Sequence, residues 1–419
     1  MTARRTLLLK NVAIPGNRVT DLLIRDGSVA HAGSGGTADR TIDCSGRFVL
    51  PAAVDLHVHM RGGSQSAKED WSSGSRSALA GGVTVVVDQP NTIPPLTTPE
   101  SFTTRVRDAA ASSLCSYAIN SGVTMETPLE SMWAAGAAAF GETFFAPSSY
   151  GEAVSPEVLS ALLGRIHQLG ALATIHAEEV APGEDTTLQI HAGLRSAAGE
   201  VRAVEAVRSC NRSGCRLHFC HLSSRESVMA ARGTVEVTPH HLFLAHERFG
   251  ESDTKAKMNP PLRSVTEQKE LWSAWDRIDV IASDHAPHTH AEKDVPFSSA
   301  PSGVPGVETM VPLLMNRVLE KRISLEDVIA RTSTNPARIL GIFPAGFEVG
   351  QRADFAMYPK KAGKIAGDRL HSRCGWTPFE GMPAIFPEVV VMGGEIVFEH
   401  GEFHKAAPAW YPGAGYQRT

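Results

Sequence analysis

Residues 54–59 read Val-Asp-Leu-His-Val-His, a short apolar run with histidines at positions 57 and 59. Side chains at i and i+2 of a β-strand point to the same face, so this run predicts a strand that presents both imidazoles to one cation. The pattern alone is weak. It gains weight because further apolar runs also end in a potential metal ligand, at Glu142, His176, His221 and Asp284.

Eight strand-like runs follow one another along the chain. They are FVLPAAVDLHVH (48–59), GVTVVVDQPN (82–91), SYAINSG (116–122), AAFGETFF (138–145), LATIHAEE (172–179), RLHFCHLSS (216–224), TVEVTPHHL (234–242) and DVIASDHAPH (279–288). Stretches such as 155–169 and 197–210 have apolar residues at helical spacing. The alternation predicts an α/β fold, a (β/α)8 TIM-like barrel over residues 51–345, with its chemistry at the strand C-termini.

The two ends of the chain have a different texture, with short strands and turns. Asp26-Gly27 and Gly393-Gly394 each separate two strand-like runs, which is typical of hairpins. We expect residues 1–50 and 346–419 to pair into one small β-sandwich domain.

Composition narrows the function classes. The chain has 419 residues, a net charge of −5 and six scattered cysteines. The charge predicts no nucleic-acid partner, and no apolar run approaches the roughly 20 residues that span a bilayer. The short N-terminal Leu run is broken by Lys10 and Asn11, so we interpret it as a first strand rather than a signal peptide. We expect a cytoplasmic protein with reduced, buried thiols and no membrane partner.

The candidate ligands suit a hydrolytic metal site. His57, His59, His176 and His221 offer nitrogen donors of the kind that bind Zn²⁺ and related divalent ions. Asp284 offers a carboxylate that can also accept a proton, and a bound metal lowers the pKa of water towards 7. An acid inside an apolar strand needs a partner, so we interpret Glu142 as a further ligand, with an outward-facing, salt-bridged residue as the alternative.

Polar residues near these ligands predict a pocket for a small anionic molecule that carries amide groups. Arg61 follows the histidine pair by two residues and shares its face if the strand continues. Asn91 ends the second run, Asn259 lies in the irregular loop Asn-Pro-Pro-Leu-Arg, and His288 follows Asp284 by four residues. An arginine, two amides and an imidazole are suited to a carboxylate and a ring amide.

These motifs resemble the amidohydrolase superfamily and, within it, the dihydroorotases. The resemblance covers nearly the whole chain and rests on the motifs His57-x-His59-x-Arg61, Pro90-Asn91-Thr92, His176-Ala177-Glu178, His221-Leu222-Ser223, Glu236-Val237-Thr238-Pro239-His240-His241, Asn259-Pro260-Pro261-Leu262-Arg263, Asp284-His285-Ala286-Pro287-His288, Gly306-Val307-Glu308-Thr309 and Pro378-Phe379-Glu380-Gly381. Hydantoinases and allantoinases share the metal motifs but usually differ at the arginine and at the Asn-Pro-Pro-Leu-Arg loop.

The resemblance implies an activity and a role for each residue. The activity is reversible closure of N-carbamoyl-L-aspartate to dihydroorotate in pyrimidine biosynthesis, with one or two Zn²⁺ or other divalent ions per chain. His57, His59 and Asp284 would bind one metal, and His176 and His221 the second. Asp284 would be the general acid/base. The substrate would be held by His59, Arg61, Asn91, Asn259, His288 and Gly303. The resemblance also implies a homodimer and association with aspartate transcarbamoylase.

Two departures from the family pattern stand out. Many relatives bridge two metals with a carboxylated lysine, but this chain has no lysine between Lys68 and Lys255, and Glu142 stands at the lysine-like place. A glutamate stem is several atoms shorter, so the strand must move inward, the metals must shift, or one site stays empty. Second, a loop that normally reads Pro-Phe-Gly here reads Pro301-Ser302-Gly303, which removes an apolar wall.

Two alternatives remain at this point. One is a hydrolase of another cyclic ureide, such as a hydantoin or allantoin, which would not need the cation of Arg61. The other is a catalytically silent subunit that scaffolds aspartate transcarbamoylase. Such a subunit is expected to lose metal ligands, whereas this chain keeps four histidines and Asp284.

Overall fold

The computed structural model describes residues 6–16, 18–144, 154–405 and 407–417. Phe145, which ends the fourth predicted run, and parts of both predicted terminal segments lie outside the described residues. The described strands are β1 Thr6–Ile14, β2 Arg18–Arg25, β3 Ser28–Ala32, β4 Arg40–Asp43, β5 Arg47–Pro51, β6 Ala53–Val58, β7 Val83–Asp88, β8 Ser116–Ile119, β9 Phe140–Phe144, β10 Leu172–His176, β11 Arg216–Phe219, β12 Thr234–Val237, β13 Val280–Ile281, β14 Phe355–Pro359, β15 Gly363–Lys364, β16 Pro383–Ala384, β17 Val389–Met392, β18 Glu395–Glu399 and β19 Glu402–Phe403.

Helices fill most of the connections between the central strands. They are α1 Trp71–Gly81, α2 Pro99–Ser112, α3 Leu129–Ala135, α4 Pro156–Gln168, α5 Leu188–Leu194, α6 Ala197–Cys210, α7 Arg225–Ala230, α8 Pro239–Phe243, α9 Val265–Ser273, α10 His290–Lys293, α11 Met310–Leu319, α12 Leu325–Ile329 and α13 Asn335–Leu340. Many begin at a side-chain N-cap, as at Asp70, Thr98 and Ser264, where the N-cap and the third helical residue cap each other reciprocally. These caps satisfy backbone N–H groups that the first turn leaves unpaired.

Eight parallel strands form two sheets, in the orders β6-β7-β8 and β9-β10-β11-β12-β13. The predicted alternation of parallel strands and helices is therefore confirmed. Single parallel bridges join the two sheets at both edges, Ser121 to Phe140 on one side and Val58 to His285 on the other. The second junction includes a hydrogen bond of 2.8 Å from the N–H of His59 to the carbonyl of His285, which brings the first and last strand ends together.

The first predicted run, residues 48–59, is two strands rather than one. β5 pairs antiparallel with β14, whereas β6 pairs parallel with β7. Between them, the N–H of Ala52 donates to the carbonyl of Asp354 at 2.9 Å. The sequence is apolar throughout this stretch, so its hydrophobicity does not reveal where the chain passes from one sheet to the other.

Alternation along β6 decides which side chains reach the site. Val54 and Leu56 pack in one apolar cluster with Ala337, in α13, and Ile342, just beyond it. Successive side chains of a strand face opposite ways, so Asp55 and His57 face away from that helix. The run of predicted ligands therefore begins on the inner face of the parallel sheets.

The two ends of the chain share a second apolar core. One sheet has the order β3-β2-β1-β4, and the other has the order β19-β18-β17-β14-β5. Buried residues of both sheets, including Leu9, Leu22, Phe355 and Val391, form a single cluster. Both predicted hairpin turns are present, with positive φ at Asp26-Gly27 and at Gly393-Gly394, as turns of the primed type require.

The six cysteines are free and buried, as predicted. None of the helices in the described part of the chain is long and apolar enough to cross a membrane.

Candidate active site

A cavity of about 400 Å³ opens where the central strands end and their loops begin. Its size lies within the range of small-molecule sites. Every predicted site residue except His57 lines it, and His57 lies buried beneath. The predicted residues on its wall are His59, Arg61, Asn91, Glu142, His176, His221, Asn259, Asp284, His288 and Gly303.

One ligand group joins the first and last strands. His59 Nε2 lies 3.1 Å from Asp284 Oδ1, and His57 Nε2 lies 3.6 Å from the same oxygen. Suitable ligand atoms of the three residues all lie within 4.8 Å of one another. The structure thus places the three residues expected at the first metal around one point.

Glu142 centres the second group. Its Oε1 lies 3.0 Å from His176 Nδ1 and 2.6 Å from His221 Nε2, while its Oε2 lies 3.6 Å from His57 Nε2. The carboxylate therefore stands between the two groups. The strand that carries it lies close against β10, because at Gly141, with φ of +128°, a Cβ would come within 2.2 Å of the Thr174 carbonyl oxygen. A short glutamate stem reaches the site from a backbone that only glycine allows this close.

Three of the histidines are oriented by a partner on the far side of the ring. His57 Nδ1 lies 3.1 Å from Glu236 Oε1, and His59 Nδ1 lies 2.7 Å from Asn91 Oδ1. His176 Nε2 lies 2.9 Å from Glu178 Oε2. Each partner atom is an acceptor, so each ring donates an N–H to it and turns its other nitrogen towards the centre, where that nitrogen can carry a proton or bind a cation.

The centre consequently needs positive charge. Among the residues that the structure describes, none forms a hydrogen bond with the buried His57 Nε2 atom, which faces two carboxylates at 3.6 Å. Burial acts to lower the pKa of His57, but the Glu142 and Glu236 carboxylates outweigh it and hold the pKa well above its ordinary value. A cation in place of a proton would meet the same demand. The donor set of imidazole nitrogens and carboxylate oxygens is the one that zinc and related ions bind, so these residues fit a metal.

The carboxylates respond in the opposite sense. Burial acts to raise the pKa of Asp284, but the neighbouring imidazoles, His57 foremost, outweigh it and hold the pKa below its ordinary value. The pKa of Glu142 is held well below its ordinary value by His57, His176 and His221 against the same effect of burial. Both side chains are therefore ionised near neutral pH and able to bind a cation or accept a proton.

Three residues of the site have a positive φ, which is unfavourable for residues other than glycine. Arg61, His221 and Asp284 have φ of 46°, 35° and 44°. Left-handed conformations of this kind cost about 1–3 kcal/mol each and persist where the surroundings enforce them. Arg61 also lies beyond β6, which ends at Val58, so it does not share a strand face with His57 as expected. It reaches the cavity by this turn of the backbone.

Glu236→Gln tests the orienting role of the carboxylate behind His57. We expect metal affinity to fall about 10–100-fold, because the ring loses the partner that fixes its tautomer. Metal affinity is measured by competition with a chromophoric chelator, alongside thermal unfolding. Glu270→Gln, at an exposed position, is the matched control. Unchanged affinity in a folded Glu236→Gln protein would contradict the assignment.

Three cationic side chains line the same cavity, Arg61, Lys68 and Arg195. Lys68 is paired with Glu292 at 2.7 Å, and Arg195 is paired with Glu178. Arg61 is 8% exposed, and within the described ranges its Nε atom is buried without a hydrogen-bond partner. Burial lowers the pKa of Arg61 to about 10, so the group stays charged at neutral pH. The buried guanidinium of Arg61 on the cavity wall would therefore be stabilised by a bound anion.

His288 lies between two cations. Its Nδ1 is 3.3 Å from Lys68 Nζ, and its Nε2 is 3.1 Å from the Ser302 carbonyl oxygen. An ammonium only donates and a carbonyl only accepts, so Nδ1 is the acceptor and Nε2 carries the hydrogen. Burial, with the charges of Arg61 and Lys68, lowers the pKa of His288 to about 2. The ring is neutral, and with Nε2 as a donor the Arg61 Nη2 atom, 3.4 Å from it, makes no hydrogen bond to the ring.

Four residues at the site were not predicted from sequence to take part in it: Glu236, Glu178, Lys68 and Arg195. The rule that selected Glu142, an acid in an apolar strand, applies equally to Glu236 in Thr-Val-Glu-Val. Glu178 follows His176 by two residues. It belongs to one of the motifs that carry the family resemblance, but no role was predicted for it. Lys68 and Arg195 lie in loops, and nothing in their local sequence relates them to the ligands.

Comparisons with known proteins agree over most of the chain. The profile of the Amidohydrolase family matches residues 48–397. A protein named dihydroorotase from Methanosarcina acetivorans is 40% identical over 426 aligned residues, covering 93% of this chain and 91% of that protein. A second protein of that name, from Halobacterium salinarum, is 37% identical over 406 residues, covering 94% and 96%.

Solved structures resemble the chain at lower identity. The L-hydantoinase (dihydropyrimidinase) from Arthrobacter aurescens superposes with a TM-score of 0.88 at 27% identity, covering 96% of this chain and 97% of that one. A dihydropyrimidinase from Brevibacillus agri superposes with a TM-score of 0.87 at 23% identity, covering 99% and 100%. The second likeness concerns the fold alone.

Proposed function

Because the chain belongs to the amidohydrolase family, we propose that it is a metal-dependent hydrolase of cyclic amides, and specifically that it interconverts N-carbamoyl-L-aspartate and dihydroorotate. The observation that carries the specific proposal is Arg61, a buried guanidinium on the wall of the same cavity as the ligand groups. A carboxylate on the substrate would satisfy it through charge-assisted hydrogen bonds. The relatives named dihydroorotase support this assignment.

The proposed architecture is a closed (β/α)8 barrel over residues 51–345, with a small β-sandwich of residues 1–50 and 346–419. The bridges at both edges of the parallel sheets support closure. The cluster shared by both chain ends supports the sandwich. Active sites of such barrels lie at the strand C-termini, where the cavity is found.

The proposed metal is Zn²⁺, one or two per chain. His57, His59 and Asp284 would hold one ion, and His176 and His221 the second, with Glu142 between them. When bound, such an ion supplies a Lewis acid that polarises a carbonyl and makes water a stronger nucleophile at neutral pH.

The protein's own groups bind the substrate and move protons. Arg61 binds the carboxylate and fixes the ring in the cavity, and Asn259 lies where it can bind a ring amide. As water adds to the ring carbonyl, Asp284 accepts its proton. As the C–N bond breaks, Asp284 returns that proton to the departing nitrogen, giving an open ureide and a carboxylic acid that then loses its proton to solvent. Closure of the ring follows the same steps in reverse.

Two alternative functions, a hydantoinase and a silent scaffold, fit the site less well. A hydantoinase is suggested by the solved structure from Arthrobacter aurescens, but a neutral hydantoin would leave Arg61 without a partner. A silent scaffold is disfavoured because all six proposed ligands lie together. Homodimer formation, association with aspartate transcarbamoylase and a cytoplasmic location stay predictions.

Arg61→Met tests the carboxylate contact. We expect KM for dihydroorotate to rise about 10–100-fold, because a lost charge-assisted contact commonly costs about 1.5–3 kcal/mol. Metal content should be unchanged, since no ligand is altered. The measurement is steady-state kinetics with metal analysis, and Arg202→Met on the surface is the control. Wild-type KM in the Arg61 variant would remove the guanidinium from the binding site.

A further inference from the structure

Ser302, which stands where the family pattern has a phenylalanine, contacts two of the proposed substrate-binding residues. Ser302 lies on the cavity wall between Asn259 and His288. Its hydroxyl donates to Asn259 Oδ1 at 3.1 Å, and its carbonyl accepts from His288 Nε2 at 3.1 Å. One residue therefore contacts two residues that come from different loops and that we place at the substrate.

The segment around Ser302 is fixed on both sides. The Pro301 carbonyl accepts from buried Lys293 Nζ at 2.8 Å, and the Gly303 N–H donates to the Lys257 carbonyl at 3.0 Å. Gly303 has φ of +132°, and a Cβ there would lie 2.6 Å from the Ala286 carbonyl oxygen. The backbone cannot easily shift, so the Ser302 hydroxyl is held where it meets the Asn259 amide.

This hydrogen bond holds the Asn259 amide against Ser302. An asparagine side chain has an accepting oxygen and a donating NH₂ group, and the hydroxyl engages the oxygen. A serine hydroxyl can also accept from an NH₂ group, so the donating role of Asn259 rests on the orientation in the structure, in which Oδ1 faces Ser302. The Nδ2 group is then the end of the amide offered to a ligand. It matches a carbonyl oxygen and opposes an N–H at the same place.

We propose that Ser302 is a specificity-determining positioning residue, which holds Asn259 as a hydrogen-bond donor towards the ureido carbonyl oxygen of a cyclic ureide. The proposal rests on the proposed function for the class of substrate. A phenylalanine at this position could not make the contact, so the hydroxyl gives this chain a polar means of fixing the amide. Sites built to donate to a particular oxygen discriminate against analogues that accept poorly.

The test is a double-mutant cycle of Ser302→Ala and Asn259→Ala, with Ser302→Thr as the variant that keeps a hydroxyl. We expect Ser302→Ala to lower kcat/KM about 3–10-fold, mainly through KM, which corresponds to one neutral hydrogen bond. Ser302→Thr should stay within about 2-fold of wild type. In the Asn259→Ala background, Ser302→Ala should change kcat/KM less than about 2-fold, because the two residues act as a unit.

A second readout uses the 2-thio analogue of the substrate, whose sulfur accepts hydrogen bonds weakly. The preference of the wild-type protein for the oxygen substrate should shrink in Ser302→Ala. Turnover is measured with whichever cyclic ureide the wild type opens, and binding of dihydroorotate is measured by calorimetry. Failure of the proposed function, seen in the wild type, is thereby distinguished from failure of this inference. Additive effects in the cycle, or an unchanged preference between oxygen and sulfur, would overturn the proposal.

Discussion

Asp284→Asn is expected to reduce turnover roughly 10²–10⁴-fold or more, the range for loss of a general acid/base. An amide cannot take the proton from the attacking water or return one to the departing nitrogen. The side chain lines the cavity, and its Oδ1 lies 3.1 Å from His59 Nε2. It lies among the ligand groups on the cavity wall, so the fold should survive the substitution.

Initial rates, metal content and thermal unfolding measured on one preparation check this prediction. Asp276→Asn, in an exposed turn before β13, is the matched control and should behave as wild type. If Asp284→Asn retains most of its activity, the aspartate has no part in proton transfer.

Glu142→Ala is expected to lower the metal content by about one ion per chain. The two histidines that remain in that group, His176 and His221, are fewer than the three protein ligands typical of catalytic zinc. The carboxylate lies 3.0 Å from His176 and 2.6 Å from His221, so its loss removes the centre of that group. Because no lysine lies between Lys68 and Lys255, wild-type activity should not depend on bicarbonate.

Metal analysis after dialysis, and assays with and without added bicarbonate, measure both effects. Glu205→Ala, exposed on α6, is the control. A full metal complement with unchanged affinity in Glu142→Ala would reduce Glu142 to a buried strand carboxylate. The site would then hold one metal on His57, His59 and Asp284.

Hydrophobic patterning was sufficient to predict the alternating parallel strands, because each strand is a short apolar run that can be recognised from its own residues. It failed where two strands share one apolar stretch, at β5 and β6. Their separation depends on pairing with β14, more than 300 residues away, and local sequence does not contain that contact. The hairpins at Asp26-Gly27 and Gly393-Gly394 were predictable because their backbone conformation is set by the turn residues themselves.

In the site, too, features set by local sequence were predictable and features set by distant contacts were not. Ligands at the ends of strands could be proposed from sequence, because the strand ends of a parallel sheet meet at one edge. The partners that orient the rings, Glu236 and Glu178, required knowledge of which nitrogen of each histidine faces inward. Ser302 was recognised only as a departure, because its role depends on three loops that meet in space.

The identity of the substrate is tested most directly by comparing cyclic ureides on one preparation of known metal content. We expect kcat/KM for dihydroorotate to exceed that for hydantoin and allantoin by about 100-fold or more, since only dihydroorotate offers Arg61 a carboxylate. Faster opening of hydantoin or allantoin, or no turnover of dihydroorotate by metal-loaded protein, would contradict the account.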